Sequence, residues 1–572
     1  MDAMQRYDRW LRDDGIDEKT KDIMRSMTKE EISDAFYKDL EFGTGGIRGV
    51  LGVGTNRMNE YVIGKVSYAL GKIVASFGEE AKKQGIVIAY DVRHKSREFA
   101  LHSALIFCAM GIKVYYFDDI RATPQLSFAV RQTNAKAGIM VTASHNPKEY
   151  NGYKAYWDDG AQILPDFAEK IEALAKKIDS FSEIEKMDEA LARGKGLLVS
   201  PDPAIDDEYI DNVKSLSLND DIDKDISIIY TSLHGTGTIP VRRVLKERGF
   251  KNMTVVEKQS VPDPDFTYAP FPNPEDARAF ELAMDLGKEK NASLLIANDP
   301  DCDRTAIMVN DGAGYVFLNG NQTGAILIKY MMDALVEKKM MPDKAMVVKT
   351  IVTGDMGKVI AADYGVSTFE TLTGFKNISS VAIEKEEKEG YRFLFGYEES
   401  IGYNAGTFVR DKDGVTSVML ISEAAAFYMK KGQTLYDVLM ALYKRYGYYD
   451  DNNFSITLKG REGTEKIKKI MSLLRERGIE ELANKKVIAV TDYEKGYRFE
   501  FSTRDKKKVD IPCSDVLKFE AEDELWFAVR PSGTEPKLKV YIYGRAETDS
   551  TAKELVEKAG EELDSLLMEF SA

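Results

Sequence analysis

The stretch KAGIMVTASHNP, residues 136–147, decides how the chain folds. Ala137 to Val141 form an apolar run that predicts a buried strand, and the polar residues after Thr142, ending in Pro147, break it. Upstream, GIVIAYDVR (85–93) is another buried strand ending in polar residues. Between the two, SREFALHSALIFCAMG (96–111) has helical periodicity and IKVYYF (112–117) predicts a further strand. Strands alternating with helices predict a parallel sheet with crossover helices.

The pattern recurs twice. SIIYTSLHGTG (227–237), helix IPVRRVLKERG (239–249) and strand MTVVE (253–257) lead to LLIANDPDCDR (294–304). MVVKTIVTGDM (346–356) opens a third unit that closes at RFLFGYEES (392–400). Each unit places a chemically loaded loop after a strand, where open α/β sheets bind ligands. The C-terminal part differs. KVIAVTDYEKG (486–496), YRFEFSTRD (497–505), SDVLKFEAEDELWFAVRPSG (514–533) and KLKVYIYGRAE (537–547) predict adjacent strands, closed by a helix over 550–570. The expectation is three related α/β domains, residues 1–205, 206–318 and 319–452, and an α+β domain over 453–572 on an antiparallel sheet. The first forty residues read as charged helices, and EFGTGGIRGVLGVGTNRMN (41–59) as a glycine-rich loop.

Of the 572 residues 44% are hydrophobic, enough for sizeable cores. No apolar run approaches the ~20 residues a membrane span needs, and the charged N-terminus lacks the apolar region of a secretory signal. Cys108, Cys302 and Cys513 are too few and too scattered for a disulfide framework or a zinc site, which predicts a cytoplasmic protein. A net charge of −15 argues against nucleic acid as a partner. An anionic substrate would need positive charge gathered locally against that field.

Four loops carry candidate chemistry. In TASHNP (142–147), Ser144 with His145 beside it is either a nucleophilic or phosphorylated serine or a plain turn at a strand end; no G-x-S-x-G elbow surrounds it. In DPDCDR (299–304), Asp299, Asp301 and Asp303 alternate, so an extended loop turns three carboxylates to one point. Three hard oxygen donors suit Mg²⁺, and the alternative is a solvated acidic turn. An EF-hand is excluded because Arg304 stands where that loop needs glycine. In GYEES (396–400), Glu398 and Ser400 face one way on an extended strand end and can take adjacent sugar hydroxyls, or are an ordinary charged strand end. In RPSGTEPKLK (530–539), Arg530 can chelate a phosphate while Ser532, Gly533 and Thr534 add hydroxyls and close backbone N–H groups; the alternative is a charged hairpin turn. Neither this loop nor FGTGGIRG (42–49) matches a nucleotide-binding glycine motif.

Together, in this order, the four loops resemble those of the α-D-phosphohexomutase family, which includes phosphoglucomutase and phosphomannomutase. FGTGGIRG, YDVRHKS (90–96), YNGYK (150–154), LHGTG (233–237) and TLTGFK (371–376) also resemble family segments, so the likeness covers almost the whole chain. The opening FYKDLEFGTGGIRG and the loop GYEESIGY resemble the branch that holds the larger bacterial phosphoglucomutases and the phosphopentomutase-like enzymes.

The resemblance implies three α/β domains with mixed sheets and a C-terminal α+β domain around a central active-site cleft. It implies that Ser144 carries a phosphoryl group and that Asp299, Asp301 and Asp303 bind Mg²⁺ together with an oxygen on Ser144. Arg48 and Arg304 would lie beside the transferring group, and Lys154, with His145 as neighbour, would assist proton transfer. Glu398, Ser400 and Lys376 would bind the sugar, and Arg530, Ser532, Gly533 and Thr534 the phosphate that does not react. The implied reaction interconverts glucose 1-phosphate and glucose 6-phosphate through glucose 1,6-bisphosphate; the sequence leaves the oligomeric state open, with a monomer favoured. Tyr397 and Tyr403 are also similar to the pentose-accepting branch, which leaves phosphopentomutase, phosphomannomutase or sugar-bisphosphate synthase as alternatives; a catalytically idle phosphoprotein scaffold is a further one. Lys154 among Arg48, Arg304 and Mg²⁺ is expected to have a lowered pKa, and Cys302 to point away from the metal.

Overall fold

In a computed structural model, which describes residues 1–42, 46–458, 460–532 and 537–571, the chain divides into two units. One comprises residues 1–323 and 393–434, the other 324–392 and 435–572.

The first unit contains two mixed sheets. In one, the parallel strands Ala137–Val141, Ile86–Tyr90, Val114–Tyr116 and Leu198–Val199 lie side by side, and Tyr150–Trp157 and Ile47–Val50 add antiparallel at the other edge. Every residue of Ile86–Tyr90 and Ala137–Val141 is buried, as expected where helices cover both sheet faces. The helices Glu60–Ser76 and Ser96–Ala109 pack against each other and contribute Leu70, Val74, Ala104 and Phe107 to this core. The second sheet has a parallel core, Leu294–Asn298, Ile228–Thr231 and Met253–Val255, extended antiparallel by Thr305–Asn310 and Tyr315–Leu318. An antiparallel hairpin, Arg392–Glu398 with Gly402–Asn404, and the buried helix Gly414–Lys430 complete the part that bears the candidate site.

The N-terminal helices Ala3–Arg12, Glu18–Arg25 and Lys29–Phe36 start at side-chain caps from Asp2, Asp17 and Thr28. They form a small core of Tyr7, Trp10, Ile16, Met24, Ile32 and Phe36, which Phe181 completes.

In the second unit, Ala345–Thr350 and Ser367–Thr371 pair in parallel, and helix Phe375–Glu389 follows. The C-terminal sheet is antiparallel throughout, running from Tyr448–Thr457 through Lys537–Ala546, Trp526–Pro531, Leu517–Ala521 and Lys485–Asp492 to Tyr497–Glu500 and Lys506–Lys508. Helices Gly460–Arg477 and Asp549–Ser571 cover one face, and Lys485–Asp492 alternates in burial as a one-sided sheet should. Strand Tyr448–Thr457 belongs to this sheet and runs through residue 452, where the sequence pattern placed a domain boundary. Its polar run DDNN carries the turn-forming residues Asp and Asn, yet ten consecutive residues pair with Lys537–Ala546. No helix among the described residues is long and apolar enough to cross a membrane.

Candidate active site

Strand Leu294–Asn298 delivers the acidic loop, and Asn298 closes it. The Asn298 amide donates to the Arg304 carbonyl at 2.7 Å and to Thr305 Oγ1 at 2.8 Å. Within the loop, the Asp303 and Arg304 N–H groups donate to Asp299 Oδ1 at 3.1 and 2.9 Å. The loop packs so tightly on LHGTG that a Cβ on Gly235 would lie 2.4 Å from the Pro300 Cα. Asp299, Asp301 and Asp303 are 0, 0 and 2% exposed, and each offers a ligand atom within 4.8 Å of the others. Cys302 between them is buried with a left-handed backbone, φ 55°. Its sulfur faces away toward Gly237, where a Cβ would be 2.9 Å from it.

Ser144 is also left-handed, φ 52°, and 2% exposed. Its N–H donates to Thr142 Oγ1 at 2.8 Å, and its Oγ donates to Asp299 Oδ2 at 2.6 Å. Two loops 155 residues apart therefore meet at one hydroxyl. Lys154, paired with Met140 in the neighbouring strand, extends its ammonium to Asp301 Oδ2 at 2.7 Å and Asp303 Oδ2 at 3.0 Å. Arg48 lies on the edge strand opposite Gly152, and its Nη1 donates to Asn146 Oδ1 at 3.1 Å. Arg304 pairs with Glu275 at 3.4 Å. His145 is adjacent, with Nδ1 buried and bonded to nothing.

The charges set one another. Burial, then repulsion from Asp301 and Asp303, raises Asp299 well above the carboxylate range. Burial also opposes ionisation of Asp301 and Asp303, but Lys154, joined at Asp303 by Lys412 and Arg304, and hydrogen bonds together lower both. The sequence expectation set Lys154 beside Mg²⁺ and two arginines; here burial works to lower it, yet Asp301 and Asp303 win and its pKa is raised. The expectation weighed the neighbouring cations, whereas the nearest charges are the carboxylates. Burial, with Arg304 and Arg48 nearby, holds His145 well below the ordinary histidine value.

The hairpin loop joins the same cluster. Thr305 N–H donates to the Ile401 carbonyl at 2.9 Å, and Gly402 bridges to Arg304. Glu398 is 8% exposed, and its charge helps keep Arg304 and Lys412 protonated. Ser400 is half-buried in the turn. Tyr397 and Tyr403 are buried and stack on Phe395 at 5.8 and 6.2 Å between centroids, so both serve the core.

In the second unit, Arg530 Nη1 donates to Thr373 Oγ1, and Nη2 to the Tyr541 hydroxyl at 3.5 Å. Thr373 stands just before helix Phe375–Glu389, whose first turn carries the buried Lys376. A guanidinium and a lysine at a helix N-terminus are suited to an anion. Ser532 N–H donates to the Lys537 carbonyl at 2.7 Å. Gly533 and Thr534 lie outside the described residues.

Several residues of the cluster were not singled out from sequence. Lys412 contacts Asp303 Oδ2 and Asp411 Oδ1, each at 3.2 Å. Asp411 Oδ2 in turn accepts from the Tyr156 hydroxyl at 2.8 Å and from Gln162 at 2.7 Å. Thr123 Oγ1 donates to Asp301 Oδ2 at 2.9 Å. Asp91 accepts from Thr142 and Arg93 donates to the Ser144 carbonyl, and Glu275 pairs with Arg304. A signal existed for Lys412 in VRDKDG (409–414), a run of charges beside a buried apolar helix; Thr123 carries none.

Four segments match the successive domains described as phosphoglucomutase/phosphomannomutase alpha/beta/alpha domains I, II and III and the C-terminal domain: residues 39–182, 207–312, 319–446 and 475–560. The three N-terminal helices precede the first of these. A phosphoglucomutase of Staphylococcus haemolyticus is 38% identical over 540 residues, 94% of this chain and 95% of its own. Among solved structures, the phosphoglucomutase pp63/parafusin of Paramecium superposes with a TM-score of 0.66 at 18% identity, covering 93% of this chain and 95% of that one. A phosphoglucomutase/phosphomannomutase family protein of Burkholderia thailandensis gives 0.64 at 17%, covering 92% and 97%. By its four matched domains and its relative across nearly the full length, the chain belongs to the phosphoglucomutase/phosphomannomutase family of mutases.

Proposed function

We propose that the chain interconverts glucose 1-phosphate and glucose 6-phosphate through a phosphoserine at Ser144 and a glucose 1,6-bisphosphate intermediate, in the cytoplasm. The observation that carries this reading is the 2.6 Å bond from Ser144 Oγ to Asp299 within the triple-aspartate cluster. The donor set suits a hard cation. Asp301 Oδ1 and Asp303 Oδ1 are buried and accept no hydrogen bond, and the one sulfur in the loop is turned away, so Mg²⁺ fits and a softer metal does not. Held by Asp299, Asp301, Asp303 and an oxygen on Ser144, Mg²⁺ would neutralise charge on the transferring phosphoryl group.

The remaining work falls to the chain's own side chains. Arg48 and Arg304 stabilise the equatorial oxygens, and Lys154, with His145 beside it, would take the proton of the attacking hydroxyl once Asp301 and Asp303, turned to the metal, no longer hold its pKa up. Glu398, Ser400 and Lys376 hold sugar hydroxyls, and Arg530 and Ser532, with Gly533 and Thr534 of the same loop, hold the distal phosphate. Phospho-Ser144 gives its phosphoryl group to O6, the bisphosphate turns end for end, and the phosphate from O1 returns to Ser144 Oγ.

Replacing Ser144 by Ala should abolish conversion of glucose 1-phosphate and leave no phosphate on the protein by intact mass. Near-normal turnover in that variant would sink the covalent step. Faster turnover of mannose or ribose 1-phosphate than of glucose 1-phosphate would overturn the sugar assignment.

A further inference from the structure

The loop that carries Ser144 has no regular structure between Val141 and Tyr150, and its serine holds a left-handed backbone that a β-carbon disfavours by about 1–2 kcal/mol. Something must over-determine that geometry. The Arg93 side chain, wholly buried, lies directly behind it. Arg93 Nη2 donates to the Ser144 and Asn146 carbonyls, both at 2.5 Å, and Nη1 to those of Pro147 and Tyr150 at 2.9 and 3.2 Å. Four carbonyls from Ser144 to Tyr150 thus converge on one guanidinium, whose Cζ lies 5.0 Å from the centroid of the Phe266 ring.

Asp91 fixes the other side. It sits 3.3 Å from Arg93 Nε and accepts from Ser96 Oγ and Thr142 Oγ1, each at 2.7 Å. The same Thr142 oxygen accepts the Ser144 N–H. Backbone carbonyl and N–H of the serine are therefore both tied into one buried network.

We propose that Arg93 is the positioning residue of the Ser144 loop. Its fork draws the carbonyl oxygens back and so aims Ser144 Oγ at the aspartates. Carbonyl dipoles facing a phosphoryl group would repel it, and the guanidinium turns them away while adding positive charge behind the serine. A lysine keeps the charge but offers one point of attachment where the fork offers several. The flanking strands Ile86–Tyr90, Ala137–Val141 and Tyr150–Trp157 are held by their own pairing, so the loop is what should respond. This proposal rests on the phosphoserine reading above, and its test separates the two.

In Arg93→Lys, kcat for glucose 1-phosphate should fall about 10²-fold, the scale of a misplacement near 1 Å, with KM changed less than about threefold. Amide exchange in 143–150 should rise at least about tenfold while that of 86–90 and 137–141 stays put. Thr142→Val, which removes the oxygen that takes the Ser144 N–H without altering charge, should lower kcat about tenfold. A folded Arg93→Lys with kcat within about threefold of wild type, or one whose KM rises at constant kcat, overturns the proposal. Should that variant not fold, Thr142→Val decides: wild-type kcat there overturns it. If wild-type protein turns over no glucose 1-phosphate, the mutase reading fails, and exchange then decides alone: loosening confined to 143–150 supports Arg93, unchanged exchange refutes it.

Discussion

Two clusters of buried charge, one in each unit, look alike by composition and differ in how they close. In the second unit, fully buried Lys349 lies 3.0 Å from Asp355 and 3.4 Å from Glu370 and donates to the Thr353 carbonyl at 2.7 Å. Trp526 Nε1 donates to Asp355 Oδ2 at 2.8 Å, and the Lys518 ammonium reaches the Ile351 carbonyl at 2.9 Å over the Trp526 ring. Among the described residues, no side-chain atom of this group is buried without a hydrogen-bond partner. In the first unit, two carboxylate oxygens, on Asp301 and Asp303, are buried and bonded to nothing. An unsatisfied buried carboxylate oxygen has a desolvation penalty of about 1–3 kcal/mol or more, which a cation bound between the two would offset. The closed cluster clamps strands; the open one has the ligand atoms to hold a cation, as proposed above.

The contrast can be broken at either end. Asp301→Asn should lower turnover about 10⁴-fold and abolish the rise in Tm that Mg²⁺ gives the wild type; a retained rise would mean that the metal lies elsewhere. Lys349→Met should leave Asp355 and Glu370 uncompensated and destabilise the second unit by about 3–5 kcal/mol. An unfolding free energy from urea lowered by less than about 1 kcal/mol would show that the clamp is ornamental. Lys412→Met removes one cation beside Asp303, which keeps Lys154, while Asp411 keeps Tyr156 and Gln162; it should lower kcat about 10²-fold while destabilising less than Lys349→Met, and equal losses of stability would erase the distinction.

The smallest effect concerns acid. Burial raises the Glu370 carboxyl, but Lys349, Lys518 and Lys358 outweigh it and hold it down at about 2, against 4.5 ordinarily. A depressed carboxylate stabilises the fold above its unfolded pKa, and that contribution is lost as pH falls toward the folded one. Urea unfolding between pH 5 and 2.5 should therefore steepen in wild type and flatten in Glu370→Gln. Identical pH slopes would remove Glu370 from the clamp.

Much of this is legible in the sequence where burial is two-sided. IVIAY, AGIMV and LLIAN carry no polar residue before their last position, and all are strands of the buried sheets. The strands at the edge were hidden. Ile47–Val50 reads as a loop because of its glycines, and YNGYKAYW as a motif rather than a strand because its polar residues interrupt the apolar pattern. Yet Lys154 is placed by that very strand. The acidic loop was legible because its three carboxylates alternate within five residues of chain. Lys412, 109 positions from Asp303, and Arg93, 51 from Ser144, act through contacts that no local pattern encodes.

The small N-terminal core has a consequence for synthesis. Asp13 accepts the Phe181 N–H at 3.1 Å and the Ser180 hydroxyl at 2.8 Å, and Trp10 meets the Phe181 ring at 5.1 Å. These partners leave the ribosome about 170 residues after the helices they complete, a delay of roughly ten to thirty seconds at ~5–20 residues per second. For that interval Trp10, Tyr7 and Phe36 travel on an unfinished nascent chain, so their small core must wait for a much later stretch to close.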